Sequence, residues 1–153
     1  MLSGKELKEW KEKQKELNLQ LYRHQWHYAL EEMGLKKQVD SVFSQLKDAN
    51  LTVDDYQLDE NNRKVYIPIK DGKIILDVYI ITTRSGSEMA RLRSDPFKPE
   101  AYEVGYEIES KDKEVEGKIS KILDQQKNFK SELERFREGM EMAAIRHSLG
   151  DEF

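Results

Sequence analysis

The sequence predicts an α+β fold, in which a small antiparallel sheet of three or four strands is flanked by helices. Three observations lead to this prediction. Apolar residues recur with a seven-residue, helical period near both ends of the chain, and with a strand-like period of two in its middle. The dipeptide Asp71-Gly72 lies between two β-rich segments and favours a hairpin. At 153 residues, the chain is expected to form a single domain over 1–153.

The same apolar spacing, in steps of four and three residues, occurs at both ends of the chain. The N-terminal seam consists of Leu7, Trp10, Gln14, Leu17, Leu21, His24 and Tyr28, and the C-terminal seam of Val115, Ile119, Ile122, Gln126, Phe129, Leu133, Phe136, Met140 and Ala143. Stripes this narrow need a second helix to cover them. We therefore expect helices over about 4–34 and 111–149 that pack as an antiparallel, coiled-coil-like pair. A homodimer through the C-terminal helix, or packing of each helix on the sheet, remains the alternative.

Short-range signals predict where the other helix boundaries fall. Ser3 and Glu6 have the spacing of a capping box, and Gly34 suits the left-handed residue that follows a helix. A second helix, over about 37–49, is predicted from one apolar face at i, i+3, i+4 and i+7, made of Val39, Val42, Phe43 and Leu46.

Four strands are predicted, over about 51–58, 63–70, 73–83 and 100–109, from alternating polarity and β-branched or aromatic residues. Asp71 and Gly72 are expected to form the two-residue turn between the second and third strands, both with positive φ. The segment 84–99 has no clear period and is rich in Ser, Gly, Pro and charged residues, so it is predicted to be a long loop.

Composition excludes some classes of function and weakens others. Acidic residues exceed basic ones by four, which argues mildly against a dedicated nucleic-acid binder. The chain has no cysteine, so disulfides, thiolate nucleophiles and cysteine-ligated metals are excluded, and a reducing, cytoplasmic compartment is expected. No apolar run approaches the roughly 20 residues of a membrane span, and no signal-peptide core is present, so no membrane partner is expected.

One set of residues suggests a catalytic alternative. Asp77 lies in the middle of a predicted strand, and Glu109-Ser110-Lys111 ends the next one before a helix, an order that resembles Mg²⁺-dependent PD-(D/E)xK nucleases. In such enzymes two acids bind the metal and the lysine positions the attacking water. The pattern Glu-x-Lys recurs elsewhere in this charged chain, however, so solvated, non-catalytic side chains are the favoured interpretation.

The histidines are weak metal candidates. His24 and His27 are three residues apart on a predicted helix, and Glu31 follows four residues later, a spacing that can converge on a metal. Because His24 also belongs to the N-terminal seam, a packed histidine is favoured, and neither a metal nor a cofactor is expected.

The predicted loop is the best candidate for a binding surface. Arg84, Arg91, Arg93 and Lys98 concentrate there, and arginine binds carboxylate and phosphate through a planar fork. With no robust catalytic set, we favour a non-enzymatic, cytoplasmic protein-binding module of adaptor or inhibitor type. A nucleic-acid-binding protein that uses the loop, and the nuclease described above, are the alternatives.

Overall fold

The computed structural model describes residues 3–82 and 95–150, with side chains as far as residue 143. Helices and strands follow one another in the order α1 (Gly4–Glu31), α2 (Leu35–Asp48), β1 (Gln57–Asp59), β2 (Lys64–Ile69), β3 (Gly72–Ile81), β4 (Ala101–Glu109), α3 (Lys113–Asp124), β5 (Phe129–Ser131) and α4 (Glu132–Gly150). The mixed α/β composition agrees with the predicted class. Among the described helices, none has both the length and the apolar composition that crossing a bilayer requires.

The strands form one sheet in the order β1-β2-β3-β4-β5. The first three strands pair antiparallel. Strand β4 also runs antiparallel to β3, because the Glu100 amide donates to the Ile81 carbonyl at one end while Gly72 lies against Glu109 at the other. Strand β5, by contrast, pairs parallel with β4. The prediction of three or four antiparallel strands is therefore confirmed only in part: the described sheet has a fifth strand, and the parallel direction of that strand makes the sheet mixed.

Helix α3 explains the parallel fifth strand. Parallel neighbours need a crossover connection, usually a helix, and α3 provides it between β4 and β5. The predicted continuous helix over 111–149 is therefore wrong. Asn128 takes the left-handed conformation, with φ 71°, and Phe129 after it is buried in β5, opposite Val104. Phe129 fits the heptad spacing equally well, which is why the sequence pattern did not separate the two helices.

The chain divides into two compact units, described separately below. The first contains residues 1–38 and 80–102. Its buried side chains on α1 are Trp26, Ala29 and Leu30, all near the end of that helix. The Gln25 amide donates to the Pro96 carbonyl at 2.9 Å, and His24 meets the Phe97 ring edge-on, with centroids 5.3 Å apart.

The second unit contains residues 39–79 and 103–153, and holds most of the apolar core. Strands β2 and β3 alternate between buried and partly exposed positions, as a period of two requires. Its buried residues include Val39, Val42 and Leu46 on α2, Val65, Ile67 and Ile69 on β2, Ile74, Leu76 and Val78 on β3, and Ile119 and Leu123 on α3.

Several predicted boundaries are confirmed by backbone geometry. Ser3 accepts from the Glu6 amide at 3.1 Å, and Glu6 accepts in return from the Ser3 amide at 3.4 Å. Gly34 has φ 82°, and α1 ends three residues before it. Helix α2 ends at Asp48, and Asn50 beyond it is left-handed, with φ 58°. These features depend on a few neighbouring residues, so the sequence pattern was sufficient.

The hairpin is present, but its turn lies one residue earlier than predicted. Ile69 pairs with Gly72, so the loop residues are Lys70 and Asp71, and Asp71 has φ 58°. Gly72 already belongs to β3 and does not have positive φ. It is needed for a different reason: a Cβ at this position would fall 1.8 Å from the Glu109 carbonyl oxygen.

Each terminal seam is uncovered over part of its length, whereas Ile119 and Phe129 of the C-terminal seam are buried. Every residue from 3 to 20 of α1 is exposed, and the exposed fractions of Leu7, Trp10 and Leu17 are 40%, 53% and 51%. On α4, Leu133, Phe136 and Met140 are exposed to 60%, 65% and 58%. The predicted pairing of the terminal helices is therefore not confirmed. Helix α1 buries three residues, Trp26, Ala29 and Leu30, and all three lie outside the heptad positions. The buried face of α1 is therefore the face opposite the N-terminal seam.

Candidate functional site

Three of the four predicted binding residues, Arg84, Arg91 and Arg93, lie outside the described residues. Lys98 is described and exposed, and its amide donates to the Asp95 carbonyl at 3.0 Å. In the first unit it helps to line an open cleft of about 510 Å³, together with His24, His27, Tyr28, Glu31, Glu32 and Phe97. In the described part of the chain, no group of three or more His, Cys, Asp or Glu side chains is arranged to hold a metal ion.

The residues of the nuclease alternative are not brought together. Asp77 lies 3.9 Å from the Lys64 amine, and Glu109 lies 3.9 Å from that of Lys73. Glu109 is beside Gly72, whereas Asp77 is five residues further along β3, roughly 16 Å away at about 3.3 Å per residue. Lys111 is exposed beyond the end of β4. Two carboxylates at that separation do not share a Mg²⁺ ion.

A polar cluster that the sequence did not predict lies where the first turn of α4 meets β3 and β4. Arg135 Nη1 donates to Glu103 Oε2 at 2.7 Å, and its guanidinium carbon lies 3.8 Å from the centre of the Tyr79 ring. The Tyr79 hydroxyl donates to both carboxylate oxygens of Glu132, at 3.0 and 3.2 Å. Gly105 makes room for this packing, because a Cβ there would fall 2.4 Å from Glu132 Oε1.

The charges in this cluster are coupled. Burial and the charge of Asp77 raise the pKa of the Glu132 carboxyl above its ordinary value near 4.5, against the hydrogen bond from Tyr79 and the charge of Arg135. Burial works against the charge of Arg135, yet the hydrogen bond and charge of Glu103 leave the pKa of that guanidinium raised. The cluster thus fastens α4 to the sheet at its first turn, and determines which face of the helix remains outward.

Beside this cluster, α3, β4 and α4 enclose an open groove of about 790 Å³. We call it the acidic groove, because its lining includes Glu107, Glu116, Asp124, Glu132 and Glu134, and no lysine or arginine among the described residues. Tyr106 lies at its base, 5% exposed, and its hydroxyl donates to Asp124. Burial and that hydrogen bond raise the pKa of Tyr106 to about 12, so the hydroxyl remains a donor at physiological pH.

An apolar stripe borders the acidic groove on α4. It consists of Leu133, Phe136 and Met140, which lie at i, i+3 and i+7 and therefore on one face of the helix. We call these residues the α4 stripe; two of them, Leu133 and Phe136, also line the groove. The heptad spacing identified these residues, but it placed them in a buried helix pair. Nothing in the local sequence indicated that residues 107, 116 and 124 would surround them.

Comparison with known proteins gives no match: no family model, no curated protein and no solved structure matches this chain. The function of the chain has therefore to be inferred from its own side chains and their arrangement.

Proposed function

We propose that this protein is a non-enzymatic protein-binding module of adaptor or inhibitor type, and that its binding surface is the α4 stripe with the acidic groove. The observation that carries the proposal is the exposure of Leu133, Phe136 and Met140, at 60%, 65% and 58%, on a single helical face. Contiguous apolar side chains rimmed by polar ones are typical of surfaces that a partner covers.

The spacing of the stripe supports a particular mode of binding. Helices that lie in a partner's groove use anchors at i, i+3 and i+7, as this stripe does. A phenylalanine contributes a large apolar area, and methionine adapts to irregular surfaces through its flexible, polarisable side chain. Such a helix contacts its partner through shape and apolar burial, without any catalytic group.

The acidic groove indicates the chemistry of that partner. Five carboxylates line it without a lysine or arginine, so a partner with lysine or arginine side chains beside its apolar contact would be complementary. Opposite charges around an apolar contact increase the association rate and exclude partners of the wrong charge. The lack of cysteine supports a reducing, cytoplasmic setting for this complex.

The Arg-bearing segment remains a second proposed contact. Arg84, Arg91 and Arg93 lie outside the described residues, and Lys98 beside them is exposed. The nuclease alternative gains no support, because Asp77 and Glu109 are too far apart to share a Mg²⁺ ion. Nucleic-acid binding through the arginines would be recognised by retention on DNA or RNA that weakens steeply with salt.

The experiment compares two exposed phenylalanines. Tagged wild-type protein, Phe136→Ser and Phe97→Ser are incubated with lysate of the source cell, and retained proteins are quantified by mass spectrometry. Phe136 and Phe97 are exposed to 65% and 51%, so both variants lose a similar surface ring. We expect a partner that wild type and Phe97→Ser retain and Phe136→Ser loses. With that partner purified, Phe136→Ser should weaken binding by about 1–3 kcal/mol.

Other results would contradict the proposal. If Phe136→Ser and Phe97→Ser retain the same proteins as wild type, the α4 stripe is not the binding surface. If, in addition, reversing Arg84, Arg91 and Arg93 to Glu abolishes retention of a protein, the Arg-bearing segment is the interface instead.

A further inference from the structure

The N-terminal part of α1 is a long helix without cover. Every residue from 3 to 20 is exposed, although most of the stability of helices in proteins comes from packing of an apolar face. Exposed apolar side chains on it include Leu7, Trp10, Leu17 and Leu19. Three of these four belong to the N-terminal seam, and Leu19 does not.

The seam has the register of a two-stranded coiled coil. With Leu7 at position a, the a and d positions as far as Leu21 are Leu7, Trp10, Gln14, Leu17 and Leu21. Leu19 falls at f, on the opposite side, the same heptad position as Trp26. Trp26 is 1% exposed, so the face of α1 that contributes to the core of its unit is the f side. The seam is therefore directed away from that core.

Charges flanking the seam distinguish between two ways of pairing identical helices. In a parallel, in-register pair, Glu6 at g lies next to Lys11 at e of the second copy, on both flanks. An antiparallel pair that places Leu7 opposite Leu17 brings Lys11 against Lys11 and Lys13 against Lys13. A second antiparallel register, with Gln14 opposite Leu17, places these lysines beside Asn18 and Gln20. Of the arrangements whose paired residues include Leu17, only the parallel one forms an opposite-charge pair.

The polar seam residue favours the same arrangement. In a parallel pair the two Gln14 side chains meet each other and can exchange amide hydrogen bonds. In the two antiparallel registers described above, Gln14 faces Trp10 or Leu17, and burying an amide against an apolar neighbour carries a desolvation cost. A single polar a position is also the usual device that fixes the register of a parallel dimer.

From these observations we infer that α1 pairs with α1 of a second copy of this chain as a parallel, in-register coiled coil over residues 6–21. This self-association is independent of the proposed function, because it uses a different helix. It would give each assembly two copies of the α4 stripe, and two linked binding surfaces increase the avidity for a partner that offers two sites.

Sedimentation velocity tests the dimer, with two leucine variants as a matched pair. Leu17 at d and Leu19 at f are exposed to 51% and 44%, so aspartate at either position replaces a leucine side chain of similar exposure. Wild type and Leu19→Asp should approach twice the 18.1 kDa chain mass as concentration rises. Leu17→Asp should remain monomeric, with a dissociation constant raised at least about tenfold. Wild type that is monomeric throughout, or equal effects of the two variants, would overturn the inference.

Tryptophan fluorescence provides an independent measurement of the pairing in the same samples. Trp10 is 53% exposed and Trp26 is 1% exposed, so pairing should shift only the Trp10 contribution to shorter wavelength. The shift should follow concentration in wild type and be absent from Leu17→Asp. An unchanged Trp26 contribution in Leu17→Asp, read in a Trp10→Phe background, shows that this variant is folded.

Single cysteines test the orientation, since the natural chain has none. Leu7→Cys and Gln14→Cys, each alone, should form disulfide-linked dimers with oxidised glutathione, because equivalent a positions meet in a parallel pair. Leu19→Cys is the control that should remain monomeric. No antiparallel register brings both position 7 and position 14 opposite themselves, so cross-linking at only one of them would overturn the parallel arrangement.

Discussion

At the scale of single residues, two glycines allow the second unit to pack as it does. Gly72 lies against the backbone of β4, where a Cβ would be 1.8 Å from the Glu109 carbonyl oxygen. Gly105 lies under the first turn of α4, where a Cβ would meet Glu132 Oε1 at 2.4 Å. The first obstacle is backbone and does not yield easily, whereas the second is the end of a side chain that can turn away.

Gly72→Ala should therefore destabilise the fold by about 1–3 kcal/mol, the usual effect of overpacking. Gly117→Ala is the matched control. Gly117 is exposed on α3, and a Cβ there would meet nothing within 4 Å beyond the backbone of its own helix, so alanine should stabilise the helix by about 0.5–1 kcal/mol. Urea unfolding measures both changes, and a neutral Gly72→Ala would show that β3 and β4 are further apart.

The free energy of unfolding should depend on pH through the titration of the Glu132 carboxyl. Its folded-state pKa is raised above the ordinary value near 4.5, so the folded chain binds this proton more tightly than the unfolded chain does. Its contribution to stability is therefore most favourable below pH 4.5 and falls as the pH rises through the raised folded-state pKa.

Glu132→Gln removes this titration. The stability of Glu132→Gln relative to wild type should increase with pH across that window and be constant below it. Urea titrations at several pH values measure the difference, and Glu134→Gln, an exposed neighbour on α4, is the control. A difference independent of pH would show that the polar cluster does not hold Glu132 away from water.

At the scale of elements, residues 125–131 decide the architecture of the C-terminal part. They interrupt the helix that the heptad pattern predicted over 111–149, and they direct Phe129 into the sheet while Leu133 remains outside. Two residues of the same predicted seam thus have opposite environments, 6% and 60% exposed.

Alanine substitution should separate them. Phe129→Ala should cost about 3–5 kcal/mol, because it empties a packed core position in β5. Leu133→Ala should change the stability by no more than about 0.5 kcal/mol, since the side chain is largely in water. Equal costs in urea unfolding would indicate a continuous, buried C-terminal helix instead of the β5 strand.

At the scale of the whole molecule, the chain keeps a well-buried core while leaving apolar faces of two helices in water. Leu7, Trp10 and Leu17 on α1 and Leu133, Phe136 and Met140 on α4 are all at least 40% exposed. Exposed apolar surfaces of this kind are typical of sites where a partner binds. The two faces differ in their surroundings: both lysines and glutamates lie around the α1 seam, whereas the charged residues that line the groove beside the α4 stripe are all carboxylates. This difference is why we assign self-association to one helix and a basic partner to the other.

Features that depend on neighbours along the chain could be predicted from the sequence. The capping box at Ser3, the left-handed Gly34, the apolar face of α2 and the alternation of β2 and β3 all follow from residues within a few positions of one another. The parallel β5, the reason for Gly72, the Tyr79–Glu132–Arg135 cluster and the buried face of α1 became evident only in the folded chain. Each of these depends on side chains or backbone brought together from distant positions. A heptad stripe has the same spacing whether its side chains are packed inside the chain or exposed, so only the fold could show that Phe129 is buried while Leu7, Trp10 and Leu17 on α1 and Leu133, Phe136 and Met140 on α4 are exposed.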